Sequence, residues 1–197
     1  MENGGEKSKA DVGSLILSSS RAGNAAVYRQ AVELQKRFSV PEVTGDPYPR
    51  RDFGGELVSS DGMLRTSSTS VWESPGQYAF ALDETPLRGN AFHTDKERRP
   101  WAMVVLAGPC RVRGVLAVNK TPGSCYRSRQ PPVEVQLSED GENWETVFKD
   151  VENRDVYRVD LTSRPARAVY VRVRRTPDAK DEVFHLNKII VYGERLY

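Results

Sequence analysis

Apolar residues are spread unevenly along this chain, and their spacing changes character twice. Over residues 1–21 the sequence is polar, with only Leu15, Ile16 and Leu17 to bury, which predicts a flexible tail. Over 22–39, Ala25, Ala26, Val32, Leu34 and Phe38 sit among Arg, Gln, Glu and Lys, and Val27-Tyr28, Ala31-Val32 and Leu34-Gln35 recur at three- to four-residue intervals, the pattern of one amphipathic helix. Ser39 and Pro41 stop it, because proline disfavours helix in the residue before it and lacks a donor. Prolines 41, 47 and 49 then mark 40–56 as a linker.

From 57 to 197 the pattern is that of strands. Val133–Leu137 and Val169–Arg174 alternate apolar and polar residues, Val112, Val115 and Val118 stand in a short apolar run, and Ile189–Tyr192 closes the chain. Turn chemistry separates these runs, as in Thr121-Pro-Gly-Ser124 and Glu139-Asp-Gly-Glu142. The prediction is an all-β jelly-roll sandwich preceded by one helix. No βαβ alternation, glycine-rich phosphate loop or internal repeat interrupts it.

Length and composition narrow the classes. The 197 residues suffice for one domain with a tail, and 38% hydrophobic against 28% charged residues fits a globular chain rather than a disordered one. Twenty-nine Lys and Arg against 27 Asp and Glu leave a formal charge of +2, too even for nucleic acid or an anionic membrane as the main partner. No window approaches the roughly 18 apolar residues of a membrane span. The first residues lack the apolar run of a secretory signal, so the protein is either cytosolic or starts after a removed leader.

Two cysteines make neither a disulfide framework nor a zinc site. Cys110 stands just before the expected strand 111–118 and Cys125 in the loop beyond it. About eight residues at 3.3 Å each separate them by roughly 25 Å, far past the ~7 Å limit for a disulfide, so both are expected as free thiols. Catalysis finds little support: the histidines are His93 and His185, no Gly-x-Ser-x-Gly elbow or His-Glu-x-x-His helix occurs, and Glu139 and Asp140 fall in a turn. Arg172 and Arg174 alternate with Val171 and Val173 and so belong to the outer face of a strand.

Several stretches of the C-terminal part, in order, are Leu64–Ser68, Tyr78–Asp83, Phe92–Thr94, Pro100-Trp101, Val135–Trp144, Ala168–Val173 and Leu186–Gly193. Together they resemble the discoidin or coagulation-factor type C domains, the galactose-binding-like jelly rolls that include many carbohydrate-binding modules. The resemblance covers 57–197 and implies that Trp101 and Trp144 are core residues. It leaves Trp72, Tyr78 and Tyr126 as aromatics on which a sugar ring could stack.

Within that superfamily the centre of the chain is similar to the fucose-binding F-type lectins. Their motif is His, 26 residues, Arg, any residue, Asp, four residues, then Arg or Lys. Here His93 is followed after 26 residues by Lys120, then Thr121, Pro122, four residues and Arg127. The resemblance implies a sugar site on the loops at one end of the sandwich, built from His93, Lys120, Arg127, Arg129 and Tyr126. Lys120 replaces an arginine and Pro122 a carboxylate, which leaves the sugar open.

On this reading the chain is a noncatalytic glycan-binding module that holds a terminal sugar, outside the cell or in the periplasm, where such modules typically serve an attached or associated carbohydrate-active enzyme. The alternative is a protein-interaction scaffold of the same fold, since fold alone does not choose between them. No cofactor is expected. Related domains often hold a structural calcium beside the equivalent of Asp83; here Lys188 stands at the closing position, where an ammonium can bond Asp83 and take the ion's electrostatic role.

Overall fold

The computed structural model describes residues 53–71, 81–85, 91–120, 127–176 and 181–197. The expected tail, the helix over 22–39 and most of the linker therefore lie outside the described residues, as do Trp72, Tyr78, Cys125 and Tyr126. Among the described residues no helix is long and apolar enough to cross a membrane.

The described strands are β1 (Glu56–Leu57), β2 (Met63–Thr66), β3 (Trp101–Val118), β4 (Val133–Ser138), β5 (Glu145–Asp150), β6 (Val156–Asp160), β7 (Ala166–Arg175) and β8 (Lys188–Arg195). They pair antiparallel in the order β1-β8-β3-β7-β4-β5, with β2 and β6 also on β3. The central element is β3. Its first residues, 101–105, pair with β2 and β7, and its last, 114–118, pair with β6 and β8. The register against β7 breaks between Val105 and Cys110, at Leu106-Ala-Gly-Pro109. A strand bent there passes from one layer to the other, so one hydrogen-bonded network forms both layers of the β-sandwich.

Alternation fills the space between the layers. Ala102, Val104, Val112, Val115 and Ala117 of β3 face Val133, Val135 and Leu137 of β4, Val171 and Val173 of β7, and Ile189 and Val191 of β8, in one buried cluster. The opposite parity of β3 and β8 is apolar too. Leu116, Val118 and Ile190 form a second cluster under Phe53, which is 2% exposed. Gly114 makes room for that ring, since a Cβ there would lie 2.3 Å from it. Phe53, in the stretch read as linker, thus packs on the sandwich, with the Arg158 guanidinium 4.0 Å from its centroid.

Two expectations are corrected. Cys110 lies inside β3 rather than before a strand, because the strand runs through the Gly-Pro bend that reads as a break; the thiol is buried and free, and burial pushes its pKa up. Trp144 is not a core residue. It lies half-buried on the outer face of the β4 layer, its Nε1–H donating to Gly141 O and its ring 3.7 Å from the Arg172 guanidinium. Trp101, at the start of β3, is likewise only half-buried.

That outer face is a cross-strand ladder. The register sets Glu134 opposite Arg174 and Gln136 opposite Arg172. Arg172 donates from Nε and Nη2 to Gln136 Oε1, and Arg174 pairs with Glu134 at 2.8 Å, with Lys149 on its other oxygen at 2.7 Å. The outward arginines are therefore committed to the sheet. Burial pushes the Glu134 carboxyl pKa up, but the hydrogen bonds from Lys149 and Arg174 outweigh it and hold the carboxyl below its ordinary value.

A carboxyl depressed in this way contributes stability that is present above the unfolded pKa of about 4.3 and is lost as pH falls through the folded value. Glu134→Gln should therefore cost about 2 kcal/mol in urea unfolding at neutral pH, and the gap from the parent should narrow in acid. An equal gap at both pH values would show that the charge is not what the ladder uses.

Candidate functional site

The ends of the strands decide which loops meet. Because β3 bends between the layers, its start at Trp101 and its end at Val118 lie at the same end of the sandwich, with the start of β4, the end of β7 and the start of β8. Backbone hydrogen bonds tie the loops there. Thr94 N donates to Phe184 O, Ala91 N to Leu186 O, and Asn187 N to Val118 O.

His93 stands in this loop cluster, half-exposed, its Nδ1–H donating to Thr94 O at 2.8 Å. Its ring stacks on His185, with centroids 5.2 Å apart and planes 24° from parallel. His185 is buried, and Gln130 holds it at both ends. The His185 backbone N–H donates to Gln130 Oε1 at 3.1 Å, which orients the amide so that Gln130 Nε2 donates to His185 Nε2 at 3.0 Å. Gln130 directly follows the 3-10 turn Arg127–Arg129. One chain of contacts therefore joins His93, through His185 and Gln130, to the turn that carries Arg127 and Arg129.

Of the residues predicted for a site, the structure thus brings His93 and the Arg127–Arg129 turn to one place. Arg129 is exposed. Lys120 follows β3 at the same end, half-exposed, its backbone N–H donating to Asn119 Oδ1 while the Asn119 amide donates to Asn153 and to Arg154 O. Tyr126 lies outside the described residues. His185 and Gln130 are the positioning residues that the spacing argument missed: each reads in sequence as an ordinary loop polar residue, and no motif couples them over a separation of 55 residues.

Lys188 bonds Asp83. It opens β8 fully buried at 0% exposure, and its Nζ donates to Asp83 O at 2.7 Å and to Asp83 Oδ1 at 3.1 Å. These oxygens do not fit a calcium site while an ammonium stands on them, and among the described residues no group of three or more His, Cys, Asp or Glu is placed to hold a metal ion. A separate concavity of about 510 Å³ lies at the other end of β4, lined by Leu137, Glu139, Asp140, Trp144 and Arg167 among others. Its carboxylates are engaged: Glu139 pairs with Arg167, and Asp140 accepts from Ser138, Glu142 and Asn143. The Asn143 side-chain bond leads in holding the Asp140 carboxyl well below the carboxylate range.

The family model described as F5/8 type C domain matches residues 65–184. No curated protein matches the chain by sequence. Many solved structures share the fold. A Streptococcus pneumoniae fucose binding module superposes with a TM-score of 0.56 at 19% identity, covering 74% of this chain and 100% of its own. A fucolectin from striped bass (Morone saxatilis) serum gives 0.59 at 19% identity, over 72% of this chain and 50% of its own. CpGH89CBM32-5 of Clostridium perfringens, solved in complex with GalNAc-β-1,3-galactose, gives 0.50 at 14% identity, over 70% and 100%. At such identities the likeness is one of fold.

Removing the Lys188 ammonium takes the cation from Asp83 O and Oδ1, the carboxylate keeping its bond from the Thr85 N–H. Lys188→Met should lower stability by about 3 kcal/mol, read as a shifted urea midpoint with unchanged slope. A variant as stable as the parent would mean that the buried pair is no more than an apolar side chain would be.

Proposed function

The chain belongs to the F5/8 type C domain family, and from that premise we propose that its loop end is a noncatalytic carbohydrate-binding site taking a terminal sugar. The observation that carries the reading is the contact chain from His93 through His185 and Gln130 to the Arg127–Arg129 turn. It supports a site in which an imidazole edge and guanidinium donors converge on vicinal hydroxyls, the chemistry that sugar recognition uses. The rings and the amide that hold His93 are already bonded in the free protein, so little ordering is left for binding to cost. Lys120 and Tyr126 complete the proposed set of contacts.

The fold relatives named for fucose and solved with GalNAc-β-1,3-galactose support the same class of ligand. A module of this kind acts outside the cell or in the periplasm, where glycans are, and works beside an attached or associated glycan-active enzyme. A single terminal sugar offers few atoms to contact, so its affinity is weak, on the order of millimolar. The fold is further proposed to need no calcium, with Lys188 in its place.

Titration calorimetry with fucose, galactose and sulfated galactose tests the reading. Saturable binding is expected, weakened about tenfold or more in His93→Ala and Arg127→Ala. Arg129→Ala is expected to change stability by less than about 0.5 kcal/mol. Flat titrations with every sugar would transfer the loop end to the protein-scaffold alternative. Thermal unfolding after chelation, with and without added calcium, should be unchanged in the parent protein and become calcium-dependent in Lys188→Glu; a rise of several degrees in the parent would defeat the calcium-free reading.

A further inference from the structure

The concavity beyond the far end of β4 is open and already shaped. It holds about 510 Å³ and is lined by Glu139, Asp140, Asn143, Trp144, Glu145 and Arg167 among others. That volume falls within the roughly 300–1,000 Å³ of clefts that take small molecules. A ligand reaches it without opening the fold, since the side chains of Glu139, Glu145 and Arg167 are 56%, 59% and 60% exposed. The length of β4, Val133–Ser138, sets it roughly 17 Å from the loop end, so one sugar ring cannot reach both.

Its walls are fixed by bonds within the turn. Asp140 Oδ1 accepts from Ser138 Oγ and from the Glu142 and Asn143 N–H groups, and Oδ2 accepts from the Asn143 side-chain amide at 2.7 Å. Asp140 is therefore a positioning residue, and the Asn143 amide it holds keeps its own oxygen for a ligand. Trp144 Nε1–H donates to Gly141 O at 3.0 Å, and the Arg172 guanidinium lies 3.7 Å from the ring centroid, so the indole is clamped while half-buried. Trp144 belongs to neither core cluster; in the wall of a cleft it presents a rigid apolar plate.

The charges of the lining narrow the ligand. Glu139 is paired with Arg167 at 3.2 Å, Glu145 with Arg164 at 3.8 Å, and Asp140 is engaged on both oxygens. An ionic ligand would have to displace one of these partners. An aliphatic ligand would find apolar wall only at Trp144 and Leu137. A neutral ring with hydroxyls at its rim fits both conditions. Carboxylate, amide and guanidinium groups are planar and can each bond neighbouring hydroxyls, while the indole takes the C–H face of the ring. Exposed ion pairs are worth little in themselves, so turning their members toward hydroxyls costs little.

We infer that the Trp144 concavity is a second carbohydrate site, taking a neutral sugar in its ring form at the end of the sandwich opposite the loop cluster. It stands on residues that the loop-end site does not use, so either site can be lost without the other. Two sites facing opposite ways let one module hold two glycan chains or two stretches of a long one, and linked weak sites bind a polysaccharide more tightly than a single sugar.

The test uses the full chain labelled with nitrogen-15, with the Trp144 Nε1–H signal assigned through its own backbone. Methyl glycosides of glucose, galactose, mannose and fucose are the neutral probes; glucuronic acid and trilysine are the charged ones. At least one neutral glycoside is expected to move the Trp144 signal saturably, with a midpoint on the order of millimolar. Arg167→Ala, at an exposed position, should raise that midpoint about fivefold, the worth of one hydrogen bond, and leave loop-end binding as it is. His93→Ala should leave the Trp144 midpoint where it was.

The outcomes separate the two sites. Sugars that bind by calorimetry without moving the Trp144 signal would overturn the second site and leave the loop-end site standing. A response lost in His93→Ala would overturn it too, because it would be relayed from the loop end. The same holds for an unchanged midpoint in Arg167→Ala, for a signal that answers to glucuronic acid or trilysine and to no neutral glycoside, and for no response to any probe. A signal that moves equally in the parent and in His93→Ala supports the second site even where the loop end binds nothing.

Discussion

The bend in β3 between Val105 and Cys110 is the constraint on which the other features depend. A straight strand of 18 residues would span roughly 60 Å, far more than a domain of this size can cover. Folding it across the sandwich lets one strand belong to both layers, so β2, β6, β7 and β8 are placed by pairing with a common partner. The same bend returns Val118 to the end from which Trp101 started. Loops that are remote in sequence, around 93, 120, 130 and 185, are gathered there as a consequence.

Gathering loops at one end brings buried polar groups with it, and their pairings differ in kind. Ser67 and Ser68 both donate to Glu97 Oε1, tying the segment after β2 to the loop before β3. Gln130 uses both ends of its amide on His185. Lys188 spends its ammonium on Asp83. Each pairing is cheap only with both members present, because a lone buried donor or acceptor forfeits its hydration. The loop end is therefore held by specific partners, where the two apolar layers are held by area, and a site built on such loops keeps its geometry without a ligand.

The alternating strands β4 and β7 are legible in the sequence, because a period of two marks a strand whatever its partner is, and β8 is legible as a short apolar run buried on both faces. The first half of β3 is not. Trp101–Cys110 is apolar at nearly every position and ends in Gly-Pro, which reads as a break rather than as a bend inside one strand. Trp144 was placed in the core because a buried and a cation-covered tryptophan look the same in sequence; the difference lies in Arg172, on a strand 28 residues away. Spacing names His93 and the arginine turn as candidates, and contacts through two further residues join them. Spacing does not name His185 and Gln130, since their role exists only through a contact between loops.

Arg172, Arg174 and Arg175 show how far identity is from role. All three sit at the end of β7 and carry the same charge. Parity sends the first two to the outer face, where the register with β4 meets them with Gln136 and Glu134, and the pairing there converts charge into sheet stability. The third follows immediately, so parity turns it inward, to the one end of the core where the layers give way to loops. One residue earlier it would have joined the ladder; one strand length further down it would have faced only valines, where an unpaired cation is untenable. Its tolerance depends on the carbonyls that the loops bring to that end of the sheet, of which Pro131 O is the one its side chain reaches.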